Sequence, residues 1–270
     1  MAEYTPTELM MSACAREVKD GDLVLCGQGL PMAAMVLAKK LYAPNCILMT
    51  EAGLVDYDAF APMLHIADST CLRGWSYSCD LMDIFTTILN RGYIDVSVLG
   101  VGSVDRYGNL NSTVIGDYDH PDIRMTGAGG APEFLACSKK AILTMRGGKF
   151  VKKLDYVTSP GNLGGREERD KSGHFPAQSG PSVLVSTKGV FRFDETGEMY
   201  LDALMPGQTV ETVRADVPWD LKVAEKVGEV QPPSEEELCF MRKFDLAVSL
   251  PRRIMNVIAA RQLMAAFAQK

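Results

Sequence analysis

The chain has 270 residues, 47% of them hydrophobic and 23% charged, with a net charge of −6. That balance suits an ordinary folded protein and excludes a long disordered tract; residues 1–270 read as a single continuous domain. Scattered Lys and Arg on an acidic chain exclude a stripe for nucleic acid, and no apolar run reaches the ~18 residues that would cross a bilayer.

Met1–Thr7 lacks the basic-then-apolar order of a secretion signal, so a cytoplasmic protein is expected. Its seven cysteines never form C-x-x-C and mostly sit in apolar segments, which reads as reduced core thiols. His65, His120 and His174 lack metal-site spacing, and no metal is expected.

In chain order, Thr5-Pro6-Thr7-Glu8 is a capping box opening a helix that should run to Asp20-Gly21. Leu23–Cys26 reads as a short buried strand, Gly27-Gln28-Gly29 as a tight loop, Pro31–Leu41 as a helix and Cys46–Thr50 as a second buried strand. Such a β-α-β unit has parallel strands, which places Glu51 just past a strand's carboxyl end, where ligands bind in open α/β sheets.

A helix over Asp80–Asn90 and a strand over Asp95–Gly100 follow, then a reversal at Asp105–Asn109. Asp117–Asp122 is an acidic cluster with the composition of a turn. Gly127-Ala128-Gly129-Gly130-Ala131-Pro132 is a glycine-rich turn into a short helix, with strands expected at Ala141–Met145 and Lys153–Thr158. Ser159–Gly180 reads as a surface loop, Ser182–Ser186, Val190–Phe193 and Met199–Leu201 as strands. Ser234–Glu237 forms a second capping box, and a helix is expected over Leu246–Lys270, interrupted at Pro251. The expected fold is α/β, an open, mostly parallel sheet with flanking helices and mixed strands in the C-terminal half.

Gly27-Gln28-Gly29 starts like a dinucleotide fingerprint, but Met32 stands where the third glycine belongs, so that reading fails. A structural turn and a close ligand approach at Gly27 and Gly29 remain equally open. Neither a G-x-S-x-G elbow nor a Walker loop occurs. Glu51, taken alone, is a strand-end carboxylate of a kind that is more often solvated surface.

The run Gly29-Leu30-Pro31, Tyr42-Ala43-Pro44 and Glu51-x-Gly53-Leu54-x-Asp56 resembles the catalytic-glutamate (B) subunit of family I CoA-transferases, the glutaconate CoA-transferase branch in particular. Tyr107-Gly108-Asn109-x-Asn111-Ser112-Thr113, Ile115–Tyr118, His120-Pro121, Thr126-Gly127-x-Gly129-Gly130-Ala131 and Asp155–Gly161 follow in the same order, so the likeness spans about Tyr4 to Asp220. Thr50-Glu51-Ala52-Gly53 departs from the usual Ser-Glu-Asn-Gly of family I, which bears on substrate more than on mechanism.

The resemblance implies CoA transfer between an acyl-CoA and a free carboxylic acid, with Glu51 as the covalent nucleophile, coenzyme A as a substrate and no permanently bound cofactor. It also implies an A subunit as partner, in equal numbers with this chain. Gly129 and Gly130 become oxyanion-hole candidates, with Gly127 beside them, and Gly53 would let substrate reach the nucleophile; the plainer reading of these glycines is a turn before Pro132. Arg73, Arg106, Arg124 and Arg166 are candidates for a distal substrate carboxylate. The enzymatic rivals are CoA-ester hydrolases and decarboxylases of the same fold, which lack the glutamate. A ligand-sensing domain would need a DNA-binding segment that this chain does not offer.

Overall fold

The computed structural model describes residues 3–57 and 65–243. Fifteen strands occur among them: β1 (Leu23–Cys26), β2 (Ile47–Met49), β3 (Leu54–Val55), β4 (Tyr77–Ser78), β5 (Val96–Gly100), β6 (Ser103–Val104), β7 (Leu110–Asn111), β8 (Val114–Gly116), β9 (Pro121–Arg124), β10 (Lys140–Met145), β11 (Lys149–Phe150), β12 (Pro181–Ser186), β13 (Gly189–Phe193), β14 (Met199–Leu204) and β15 (Lys222–Glu229). The α-helices are α1 (Pro6–Ala15), α2 (Leu30–Leu41), α3 (Ala131–Cys137), α4 (Arg166–Ser172) and α5 (Val210–Arg214), joined by a helical stretch at 235–243.

Ten strands form one sheet in the order β15-β14-β13-β12-β10-β5-β1-β2-β3-β4. From β12 through β10, β5 and β1 to β2 every pairing is parallel. Antiparallel pairs flank this block, β12–β13–β14 on one side and β2–β3–β4 on the other. The expected open, mostly parallel sheet with mixed C-terminal strands is therefore present, with a second antiparallel edge that was not expected.

Central strands are mostly apolar because both faces are covered, with Ser97 and Thr144 the buried polar exceptions on β5 and β10. Along β1, Val24 and Cys26 pack with α1 and α2, while Leu25 points into the layer holding α3 and α5. The same alternation recurs in β12, with Val183 and Val185 on one face and Leu184 on the other. Both faces of the sheet thus carry helices. The edge at which β1, β2, β5, β10 and β12 end is left to loops, and the site is built there.

Several local expectations change. α1 begins with the expected capping box, Thr5 accepting from the Glu8 N–H at 3.2 Å, but ends at Ala15 instead of Asp20. Arg16 leaves the helix to hold Gln231, Pro232 and Glu237, which closes the 235–243 stretch onto α1. The 80–90 segment is helical but wound as a π-helix over Asp83–Leu89, the Asn90 N–H reaching the Phe85 carbonyl at 2.9 Å.

Lys153–Thr158 is not a strand. Asp155 accepts from the Gly116 N–H and the Thr158 hydroxyl from the Ser112 N–H, so side chains take the place of a ladder. Ser159–Gly180 is no plain surface loop either, since it contains α4, whose Arg169 is 1% exposed and bonds Gly161, Ala136 and Ser179. The Asp117–Asp122 cluster does form a turn, Asp117 accepting from the N–H groups of Asp119 and His120. The expected helix over Leu246–Lys270 lies outside the described residues, among which no helix is long and apolar enough to cross a membrane.

Candidate active site

Glu51 sits in the tip between β2 and β3, at residues 50–53. The Thr50 N–H donates to the Leu54 carbonyl at 3.0 Å and the Gly53 N–H to the Thr50 carbonyl at 3.1 Å, closing a turn that Gly53 enters at φ +95°. A Cβ on Gly53 would lie 1.9 Å from the Cys79 carbonyl oxygen. Glycine is needed here so that β4 can approach the hairpin, and the space that was expected to admit substrate is filled by the backbone of Cys79. Thr50, fully buried, pins the turn from inside by accepting from the Leu54 N–H through its hydroxyl.

The Glu51 carboxylate comes against the turn that opens α3. A Cβ on Gly130 would lie 2.9 Å from Glu51 Oε2 and 2.6 Å from the Phe85 ring tip, so all three meet at a point where only a glycine fits. α3 is fixed behind that turn by Ser97, whose hydroxyl donates to the Phe134 carbonyl, and by Arg169, which donates to the Ala136 carbonyl. The π-helical segment brings Phe85 in from the other side, its ring 6.1 Å from that of Phe134.

Among the described residues, no donor or cation pairs with the Glu51 carboxylate. Burial, followed by the charge of Glu133 in the first turn of α3, lifts its pKa above the ordinary carboxylate value. An anion that is poorly hydrated and held without hydrogen bonds is a strong nucleophile once ionised. Beside it, the N–H groups of Gly129 and Gly130 donate to no protein acceptor among the described residues, and the Cβ direction of Gly129 is open. Gly127 is tied to Ser112, its N–H and carbonyl bonded to that residue's backbone and hydroxyl at 2.8 Å each.

The pattern of the whole chain decides the family. Residues 7–216 match the family model described as Coenzyme A transferase.

The chain belongs to the coenzyme A transferase family.

Over 247 residues it is 34% identical to the B subunit of glutaconate CoA-transferase from Acidaminococcus fermentans, covering 89% of this chain and 92% of the relative. It is also 34% identical to the B subunit of 3-oxoadipate CoA-transferase from Pseudomonas knackmussii, covering 91% and 95%. The crystal structure of glutaconate CoA-transferase from Acidaminococcus fermentans superposes with a TM-score of 0.83 at 33% identity, over 89% of this chain and 94% of the other.

Near Glu51, Gly27 and Gly29 occupy the neighbouring strand end. The Gly27 N–H donates to the Val98 carbonyl at 3.0 Å, which makes it a turn between strands; Gly29 caps α2 at φ +86° with open space where a side chain would be. Gly29 lines a cleft of about 800 Å³ that passes the ends of β5 and β10, bounded by Gln28, Gly100, Thr126 and Arg146. A somewhat larger opening, about 920 Å³, surrounds α4 and shares no residue with this edge, so it has no bearing on Glu51.

The sequence missed Phe85 and Glu133, which reach Glu51 from elements far along the chain. Of the four candidate arginines, Arg106 pairs with Glu198 at 3.6 Å, Arg124 lies over the Tyr118 ring and donates to that residue's carbonyl, and Arg166 donates to Asn162 and Ser179. Arg73 is partnered as well. None of the four lines the cleft beside Gly29.

Proposed function

We propose that residues 1–270 act as one unit, the B subunit of a two-chain CoA-transferase that exchanges CoA between an acyl-CoA and a short carboxylic acid by ping-pong chemistry. The observation that carries this reading is the Glu51 carboxylate, partly desolvated and unpaired, set against Gly130 at the carboxyl edge of the sheet. Two relatives at 34% identity are B subunits of transferases for glutaconate and 3-oxoadipate, both dicarboxylic acids, which favours a dicarboxylate here.

In the first half-reaction a Glu51 oxygen attacks the thioester carbon, the C–S bond breaks and CoA leaves as thiolate. The thiolate then attacks the glutamyl carbon of the mixed anhydride, releasing the first acid as carboxylate and leaving CoA as a thioester on Glu51. The incoming carboxylate repeats the sequence in reverse, so no proton is consumed and Glu51 is regenerated. Gly129 and Gly130 present N–H groups to the oxyanion formed at each attack. Coenzyme A is a substrate throughout, the chemistry calls for no resident cofactor, and metabolic acyl-CoA exchange suits a cytoplasmic enzyme. An A subunit, in equal numbers, completes the CoA pocket.

The test is mass spectrometry of the tryptic peptide Leu41–Arg73 after the complex meets an acyl-CoA in the absence of acceptor acid. A CoA thioester on Glu51, absent in Glu51→Gln together with a loss of turnover on the order of 10³-fold or more, is expected. Turnover of acyl-CoA with the peptide unmodified would instead indicate a hydrolase or lyase on this fold.

A further inference from the structure

The i→i+5 register over Asp83–Leu89 stacks Ile84 over Leu89, and both are fully buried in the layer that holds α3. The next residue, Phe85, stands at the margin of that layer and is half-buried, with Asp83, Thr86 and Thr87 exposed around it. Its ring packs 6.1 Å from that of Phe134, a side chain 1% exposed, so Phe85 is braced on the core side.

On its other side it meets Glu51. The point where a Cβ on Gly130 would sit is 2.6 Å from Phe85 Cζ, 3.0 Å from Cε1 and 2.9 Å from Glu51 Oε2. The ring tip and the carboxylate oxygen are therefore separated by no more than two such short distances. A water standing in line between them would need about 2.8 Å to the oxygen and about 3.5 Å to the ring, so none fits there. The atoms that approach belong to the ring edge, the positive end of the aromatic quadrupole, which accommodates an anion without hydrating it. The α3 turn has one closed and one open side. Along Gly130 the space is filled by Phe85 and Glu51, whereas nothing lies within 4 Å of the Cβ direction of Gly129.

Building on the transferase reading, we propose that Phe85 is a positioning residue that keeps water off the glutamyl-CoA thioester, so that a carboxylate and not water is the acceptor at Glu51. In the reaction it suppresses, the oxygen of water adds to the glutamyl carbonyl carbon and the C–S bond breaks. CoA leaves as thiol with one of water's protons, and Glu51 returns as carboxylate with the other proton released. CoA transfer and CoA-ester hydrolysis diverge at this one step, and Phe85 sets their ratio while taking no part in bond making.

The partition is measured on the assembled two-chain complex with glutaryl-CoA as donor and acetate as acceptor, following free CoA thiol and acetyl-CoA together. Phe85→Ala is expected to raise the ratio of thiol release to acetyl-CoA formation on the order of 10-fold. Phe85→Leu, smaller but apolar, should keep most of the wild-type ratio, and Phe85→Gln, polar at similar reach, should raise it. A purely structural role lowers both rates together, so an unchanged ratio in Phe85→Ala overturns the proposal. If that variant does not assemble, the Leu and Gln pair decides, and equal ratios in the two overturn it as well. The lifetime of the CoA thioester on Glu51, read by mass spectrometry with no acceptor present, separates this proposal from its foundation. A wild-type complex that neither forms acetyl-CoA nor labels Glu51 removes the transferase reading and the shielding with it. A labelled Glu51 whose thioester survives as long in Phe85→Ala as in wild type overturns the shielding alone.

Discussion

Glu51 is a residue whose environment works against its own charge. Burial and then the Glu133 carboxylate raise its pKa, and under the proposed mechanism Glu51 must be ionised to attack, so the acid limb of kcat/KM should fall above the ordinary glutamate value of about 4.3. In Glu133→Gln the repulsion is gone and burial remains, so a pH–rate profile should show that limb moving part of the way down; a limb that stays put would remove Glu133 from the account. The same shift has a cost to folding. A carboxyl whose folded pKa lies above its unfolded one adds stability below the unfolded value and loses it as pH rises through the folded value. Glu51→Gln should therefore raise the melting temperature by a few degrees at pH 7 and leave it unmoved below about pH 4, where both states are protonated. Glu51 was legible in the sequence because a carboxylate ending an apolar strand is conspicuous and the motif around it is long. Phe85 and Glu133 were not, because no local pattern tells which distant side chain will arrive beside a given strand end.

At the level of elements, the β2–β3 hairpin gives Gly53 a reason for being glycine that differs from the one expected. Gly53 stands in the motif, but what excludes any other residue is the Cys79 carbonyl in its Cβ direction, together with φ +95°. Gly53→Ala should cost on the order of 2–4 kcal/mol in denaturant unfolding, with activity falling as β4 is displaced; a stable, fully active variant would contradict the geometry. The 80–90 segment was legible as a helix but not as a π-helix, since the wider turn leaves no mark in a short amphipathic pattern. Lys153–Thr158 has strand composition yet meets its neighbours through the Asp155 and Thr158 side chains and one backbone bond, from the Thr158 N–H to the Leu110 carbonyl. The segment after it has the Gly, Pro and charge of a surface loop. Arg169 overrides that composition, for a buried guanidinium that bonds Gly161, Ala136 and Ser179 orders the loop and braces the far end of the helix behind Gly130.

Across the whole molecule, the parallel block was legible because strands buried on both faces are written as mostly apolar runs, whereas β15, with mostly exposed side chains along Lys222–Glu229, carries no such signature. The parallel and antiparallel parts of the sheet are laced by Glu17, which pairs with Lys140 on β10 and at 2.7 Å with Arg192 on β13, itself bonded to Asp202 on β14. Burial disfavours ionised Glu17, but the bonds and charges of Arg192 and Lys140 outweigh it and leave its pKa below the ordinary value. That stability is present above the unfolded pKa and is lost as pH falls through the folded one. Glu17→Gln should cost on the order of 2 kcal/mol at pH 7, with the gap to wild type closing in acid; equal melting curves at pH 7 would show the network to be idle. The meeting of Glu51, Phe85 and Gly130 has a consequence in time. These three residues arrive from a hairpin tip, a helix and a glycine turn spread over nearly eighty positions, and such contacts form slowly because a long stretch of chain must close before any of them is rewarded. During synthesis a ribosome has to release the α3 turn before Glu51 has a wall, so the nascent chain carries a solvated glutamate there until late in its making.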